Sequence, residues 1–280
     1  MGVTSELVHE FAAAIAGPDL GVDLFGAAML IAQLRGGPVD ANEVARRLDL
    51  MAEAVREQAG ETTEPDRLAH AIDHHLFSVL GFHGDSERYN DPENSYLDKV
   101  IERRRGIPIT LSLLYMEVAQ RVGLACDGIG YPGHFVVRCG PPEAAFYVDP
   151  FHQGARLDRA ELLAGLRSEQ LGGAAPESFL AGVTRRQVIQ RMLNNLHLIF
   201  REQREMERWL SVVELSACLE PWNSALIGER GMLRYRLGRG EEALEDLERY
   251  VEAGERETVS AGARRLLDEL RLRYRGAEGV

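Results

Sequence analysis

Residues 106–150 read GIPITLSLLYMEVAQRVGLACDGIGYPGHFVVRCGPPEAAFYVDP, and the order of helix and strand patterns within them predicts the fold class. Pro108, directly after Gly-Ile, is typical of the first turn of a helix, and residues 109–122 are apolar on nearly every face. A helix with this pattern is buried. Residues 134–138 and 145–149 then follow the pattern of strands, and the Pro-Pro turn between them predicts an antiparallel hairpin.

The predicted hairpin carries a histidine and an aspartate where the two side chains can meet. His134 begins the first strand behind Pro-Gly, and Asp149 ends the second. Residues on neighbouring antiparallel strands can face each other, and a carboxylate in contact with an imidazole orients it. The N-terminus of a buried helix beside such strands stabilises a thiolate or another anion. This arrangement resembles the layout of papain-type and transglutaminase-type sites.

Three motifs within this region also carry a family resemblance: YNDPENSYLDKVIERRRGIPITLSLLYMEVAQRVGL, PGHFVVR and FYVDPF. They resemble the transglutaminase-like family of SirB-type bacterial proteins, in which a tetratricopeptide-like region follows the core. The resemblance covers residues 89–154 strongly and the helical flanks more loosely. It implies an α+β fold, mostly helical, with a central buried helix against a small antiparallel sheet. It also implies that His134 matches the superfamily's base and Asp149 its orienting acid.

The nucleophile of that superfamily is absent from its usual place. Transglutaminase cores carry Gly-x-Cys at the start of the central helix, whereas the matching triplet here is Gly106-Ile107-Pro108. SirB-type relatives share this kind of replacement. Proline offers no nucleophile, so the resemblance implies the fold without implying the chemistry.

Two other side chains are candidate nucleophiles. Thr110 lies near the helix start, and a hydroxyl is activated when a base such as His134 is within hydrogen-bond reach. A threonine in a first helical turn usually bonds the backbone instead. Cys126 precedes the first strand. Small buried cysteines usually pack without reacting. Without a nucleophile, a structural or ligand-binding role of His134 is favoured. The residues expected to line the cleft are Asn94, Pro108 and Tyr131.

Helical patterns flank this core on both sides. Apolar residues recur at helical spacing over residues 4–16, 19–34, 40–58 and 65–80, and again from about residue 184 to 271. The chain is therefore divided into an N-terminal helical part (1–88) packed on the core, a transglutaminase-like core (89–183) and a helical region (184–280).

The last region contains a sequence repeat. Residues 209–217 align in sequence with residues 243–251 at an offset of 34 residues, which is the spacing of tetratricopeptide units. Two such units are few, so they are expected to lean on the main domain. A plain helical hairpin with chance periodicity is the alternative.

Composition limits the class of protein. Of the 280 residues, 45% are hydrophobic, which is enough for a core, and the net charge of -12 argues against nucleic acid as a partner. Neither a signal peptide nor a bilayer-spanning run is recognised. Three cysteines (Cys126, Cys139 and Cys218) are too few and too scattered for a disulfide framework, and Cys139 and Cys218 are interpreted as structural. A cytoplasmic location is expected, with no membrane partner.

No metal or cofactor is predicted. His70 and His74 lie four residues apart on one helical face, a spacing at which metal ligation is possible, but no glutamate follows the first histidine as it does in metalloprotease motifs. Whether this pair binds a metal stays open at this point.

Two functions from different classes lead, and a purely structural assembly protein is a third. The first is a non-catalytic binding or regulatory module that uses the core cleft and binds a protein or peptide through its helical repeats. The alternative is a hydrolase or acyl-transfer enzyme, protease-like, in which Cys126 or Thr110 is a non-standard nucleophile, His134 the base and Asp149 the orienting acid.

Overall fold

A computed structural model describes residues 4–167, 172–253 and 260–276. It divides into two compact units, one of residues 17–192 and one that combines residues 1–16 with residues 193–280. The first is an α+β core and the second is helical, so the predicted fold class is confirmed. None of the helices in the described ranges combines the length and apolar character that crossing a membrane requires.

The described helices and strands are bounded as follows. The helices are α1 (Ser5–Ala14), α2 (Leu24–Ala32), α3 (Ala41–Ala59), α4 (Pro65–Asp73), α5 (Leu97–Arg103), α6 (Pro108–Val122), α7 (Arg159–Ala164), α8 (Arg185–Gln203), α9 (Met206–Leu219), α10 (Ser224–Arg236), α11 (Gly240–Ala253) and α12 (Ala261–Tyr274). The strands are β1 (His83–Gly84), β2 (Arg105–Gly106), β3 (Cys126–Ile129), β4 (Val136–Cys139), β5 (Phe146–Asp149) and β6 (Ala155–Leu157).

Helix α6 is the centre of the α+β unit, as predicted. Pro108 occupies its first turn, and 11 of its 15 residues are buried. Its C-terminus is set by Gly123, which adopts the left-handed conformation at φ 83° that side-chain-bearing residues avoid. Helices α3, α4 and α5 pack on α6, as does one side of the sheet through β3 and β4.

The main sheet is an antiparallel meander in the order β3-β4-β5-β6. The predicted hairpin is confirmed, with Val137 paired to Val148 between β4 and β5. The first of these strands begins at Val136 and not at His134, because residues 131–134 form a turn. In this turn the His134 N–H donates to the Tyr131 carbonyl at 2.9 Å, and Pro-Gly occupies the two central positions.

The helices predicted over residues 4–16 and 40–58 are confirmed as α1 and α3. The segment 19–34 differs from the prediction: it opens with a short 3-10 turn, and α2 starts only at Leu24. The reason is a cap, because the Asp23 carboxylate accepts the N–H of Gly26 at 2.8 Å.

The helix predicted over residues 65–80 changes type partway. Helix α4 ends at Asp73, and the segment His74–Val79 continues as a π-helix. Its wider turn is closed by a bond from the Leu80 N–H to the His75 carbonyl at 2.9 Å, five residues back.

The helical unit contains the predicted repeat. Helices α9 and α11 both have 14 residues, and α11 begins 34 residues after α9. Apolar side chains of α11 and α12 form one buried cluster. The first helix, α1, contacts α9 and so groups with this unit.

Candidate functional site

The structure brings His134 and Asp149 together. The turn at residues 131–134 ends with His134 just before β4, and Asp149 is the last residue of the neighbouring strand β5. His134 Nε2 lies 2.7 Å from Asp149 Oδ2. Since Nε2 contacts the carboxylate, Nδ1 is the ring nitrogen left for a ligand or a proton.

A third residue, His152, completes the cluster. Its Nδ1 lies 2.7 Å from the same Oδ2 atom of Asp149. The sequence pattern does not single out His152, because its approach depends on the 3-10 turn Pro150–His152. The spacing of three residues after a strand-ending Asp-Pro is the signal that could have identified it.

The carboxylate of Asp149 is held on both of its oxygens. Oδ1 accepts the backbone N–H groups of Phe151 at 3.0 Å and His152 at 3.3 Å, and the residue is 3% exposed. Burial disfavours its charge, but the hydrogen bonds from His134 and His152 outweigh burial and lower the pKa of Asp149 below its usual value. The carboxylate therefore stays ionised and fixes both imidazoles.

Aromatic rings surround the histidines. The ring of Phe151 meets His134 edge to face at 6.1 Å and His152 at 5.1 Å between centroids, and Tyr89 lies 6.2 Å from Phe151. Gly84 allows this packing, because a Cβ there would lie 2.5 Å from the Phe151 ring. The sequence pattern alone does not single out these aromatic neighbours.

Thr110 is placed at the start of α6, but its hydroxyl serves the backbone. The Oγ1 atom donates to the Asn94 carbonyl at 2.7 Å and accepts the N–H of Ile107 at 3.2 Å, and Thr110 is fully buried. A hydroxyl has one proton to donate. Within the described ranges, no hydrogen bond joins Thr110 to His134.

Cys126 also faces a different partner. Its Sγ lies 2.8 Å from Sγ of Cys139, on the adjacent strand. The hydrogen bond to Cys139, reinforced by burial, raises the pKa of the Cys126 thiol. Because the thiolate is the nucleophilic form, this environment suppresses its reactivity.

The three residues expected to line a cleft lie in different surroundings. Pro108 is buried in the first turn of α6. Asn94 is buried against that helix start, and its side-chain amide donates to the Arg88 carbonyl at 2.8 Å. Tyr131 is half-buried, and its hydroxyl donates to the Leu162 carbonyl at 2.8 Å, in the apolar cluster around α7.

One group of described residues has the donor set of a metal site. The ligand atoms of His134, Asp149 and His152 lie within 4.8 Å of one another, and two imidazoles with a carboxylate suit a divalent transition metal. By contrast, His70 contacts Asp66 at 3.3 Å and His74 contacts Gln58 at 3.2 Å, so these two histidines point to separate partners.

This combination of a buried central helix, an antiparallel sheet and a histidine–aspartate contact defines a transglutaminase-like protein. Residues 42–194 match the transglutaminase-like superfamily, and residues 196–269 match the tetratricopeptide repeat. The chain belongs to the transglutaminase-like superfamily, which confirms the resemblance drawn from the motifs.

The chain is similar in sequence to bacterial proteins over most of its length, and to a mammalian protein over a shorter stretch. A UPF0162 protein of Xylella fastidiosa is 34% identical over 235 residues, covering 82% of this chain and 83% of that protein. The UPF0162 protein of Vibrio cholerae is 27% identical over 180 residues, covering 63% and 66%. F-box only protein 21 of Mus musculus is 36% identical over 135 residues, covering 45% of this chain and 21% of that protein.

Proposed function

We propose that this chain is a transglutaminase-like binding module with regulatory function that performs no acyl transfer. One observation carries the proposal: each candidate nucleophile is engaged away from His134. Thr110 donates its proton to a backbone carbonyl, Cys126 contacts Cys139, and Pro108 stands where the superfamily has cysteine.

The module has two surfaces with different tasks in this proposal. In the core, the His134 imidazole is oriented by Asp149 and bordered by Phe151 and Tyr89, an arrangement suited to hold a polar ligand group beside aromatic rings. In the other unit, helices α9–α12 bind a protein or peptide, since tetratricopeptide repeats generally mediate such contacts.

The absence of acyl-transfer chemistry is tested by labelling at the two candidate nucleophiles. Limiting iodoacetamide at mildly acidic pH should alkylate Cys126 no faster than Cys218, and a fluorophosphonate probe should leave Thr110 unmodified. The physical reason is that neither group is activated by a base. Site-resolved mass spectrometry on the parent and on His134→Ala measures both reactions.

The matched control is His9→Ala, which removes an exposed histidine from α1. Rapid alkylation of Cys126 that disappears in His134→Ala and persists in His9→Ala would support the hydrolase alternative. A fluorophosphonate adduct on Thr110 would do the same.

Partner binding through the repeats predicts a role for Trp222, which is 75% exposed in the turn between α9 and α10. Exposed tryptophans often anchor protein interfaces. We expect Trp222→Ser to reduce the amount of partner protein that the immobilised chain captures by about tenfold or more. The matched change is Leu50→Ser on α3, another exposed apolar residue, in the core unit. Equal capture by the parent and both variants, quantified by mass spectrometry, would contradict binding at this part of the repeats.

A further inference from the structure

Two cysteines that are separated in sequence lie directly opposite each other in the sheet. Cys126 of β3 pairs with Cys139 of β4 in the antiparallel register. The flanking bond from the Gly140 N–H to the Ala125 carbonyl, at 3.1 Å, identifies this position as a non-hydrogen-bonded pair. In such pairs the two side chains approach most closely, with Cα atoms about 4.5 Å apart.

The two thiols are already in contact. Their Sγ atoms are 2.8 Å apart, and both cysteines are free. The Cα separation of a non-hydrogen-bonded pair falls within the range of about 4.4–6.8 Å that disulfides span. A small rotation of the side chains therefore suffices to join the sulfurs, without movement of the strands.

The pair can be reached from solvent through Cys126. Strand β3 is the edge of the sheet, and Cys126 is half-buried there whereas Cys139 is fully buried. Cys126 lines a cavity of about 920 Å³ together with residues of α6 that include Glu117 and Gln120. A small oxidant entering this cavity meets Cys126 first.

We propose that Cys126 and Cys139 are an oxidation site at which a peroxide forms an intramolecular disulfide. The Cys126 sulfur attacks a peroxide oxygen, the O–O bond breaks, and a sulfenic acid forms with release of one water. The Cys139 sulfur then attacks the Cys126 sulfur and releases a second water. In total, two thiols and one hydrogen peroxide give one disulfide and two water molecules.

The position of the disulfide links it to the core site. Residues 126 and 139 form the open end of the β3–β4 hairpin, and the turn that carries His134 is at its other end. Oxidation would therefore staple the hairpin that presents His134. This inference does not rest on the proposed binding function, since the disulfide forms whether or not the core acts on a ligand.

The reaction should be slow at neutral pH and faster at alkaline pH. The hydrogen bond to Cys139 and burial both raise the pKa of Cys126, and the nearby Asp127 and Asp73 add to the effect. The thiolate is the species that attacks peroxide, so the rate follows its population.

The test is peptide mapping by mass spectrometry under non-reducing conditions, on the full chain treated with hydrogen peroxide. We expect one cross-linked peptide pair containing Cys126 and Cys139, a fall from three free thiols to one, and recovery of all three with dithiothreitol. Amide hydrogen exchange over residues 126–139 should slow in the oxidised protein and return on reduction.

Three variants fix the interpretation. Cys218→Ser should form the same disulfide, whereas Cys126→Ser and Cys139→Ala should form none. Of the last two, Cys126→Ser should disturb the fold less, because Cys126 is half-buried and Cys139 is buried. Conversion of Cys126 to sulfinic acid while Cys139 stays a thiol would overturn the proposal. So would three persistent thiols in the folded parent under conditions that oxidise a model dithiol.

Discussion

Replacement of Asp246 with alanine is expected to destabilise the C-terminal helical unit by about 3–5 kcal/mol. Asp246 is 2% exposed and binds two arginines: its Oδ1 lies 2.6 Å from Arg230, and its Oδ2 lies 2.8 Å from Arg234. Both arginine side chains are themselves largely buried, at 16% exposure. Among the described residues, the loss of Asp246 leaves Arg230 without its ion-paired carboxylate, while Arg234 retains Glu214 and Glu242.

Urea denaturation followed by tryptophan fluorescence measures this effect selectively. Both tryptophans of the chain, Trp209 and Trp222, lie in the C-terminal unit, and Trp209 is fixed by a hydrogen bond to Glu229 at 3.0 Å. Asp268→Ala, an exposed aspartate on α12, is the matched control and should change stability by less than about 0.5 kcal/mol. Equal midpoints for the two variants would mean that the buried ion pairs contribute no stability.

Such a network is not predictable from the sequence. Helical periodicity and the 34-residue offset identify α9 and α11, but they do not say that Arg230, Arg234 and Asp246 meet between helices. Contacts between helices depend on crossing geometry, which one helix's pattern does not contain.

In the core unit too, a contact within one predicted hairpin was predictable from the sequence, and a contact that depends on an unrecognised strand was not. The contact of His134 with Asp149 was predictable because strand ends of one hairpin are neighbours by construction. The pairing of Cys126 with Cys139 was not, because it depends on the register of β3, a strand that the pattern did not reveal. The sequence pattern therefore does not reveal that these two cysteines, both free thiols, lie side by side.

Asp73 is an acid whose ionised form is unfavourable at its position in the fold. Its side chain is 16% exposed at the end of α4. Burial raises its pKa from 3.8 to about 6, and Arg156, at 3.2 Å, together with Tyr115 and His70, offsets only part of that effect. Asp66 contributes a further small increase.

The sign of the pH dependence follows from this direction. Because the native state binds the proton more tightly than the unfolded state, ionisation of Asp73 costs stability as the pH rises from about 4 to about 6. Above that window the cost is fully present and constant. The shift corresponds to about 3 kcal/mol.

Asp73→Asn removes the charge and should therefore stabilise the core unit by about 2–3 kcal/mol at neutral pH, with the gain disappearing below about pH 4. Urea denaturation followed by circular dichroism at several pH values measures the gain, and tryptophan fluorescence recorded in parallel reports the C-terminal unit, which should not change. Asp66→Asn, a 65% exposed aspartate on the same helix, should give at most about 0.5 kcal/mol. A loss at pH 7.5 would show that the Asp73 charge is compensated in the folded protein and that its contact with Arg156 is a net stabilising ion pair. A gain that is equal at pH 4 and pH 7.5 would show that the gain does not come from removing the charge.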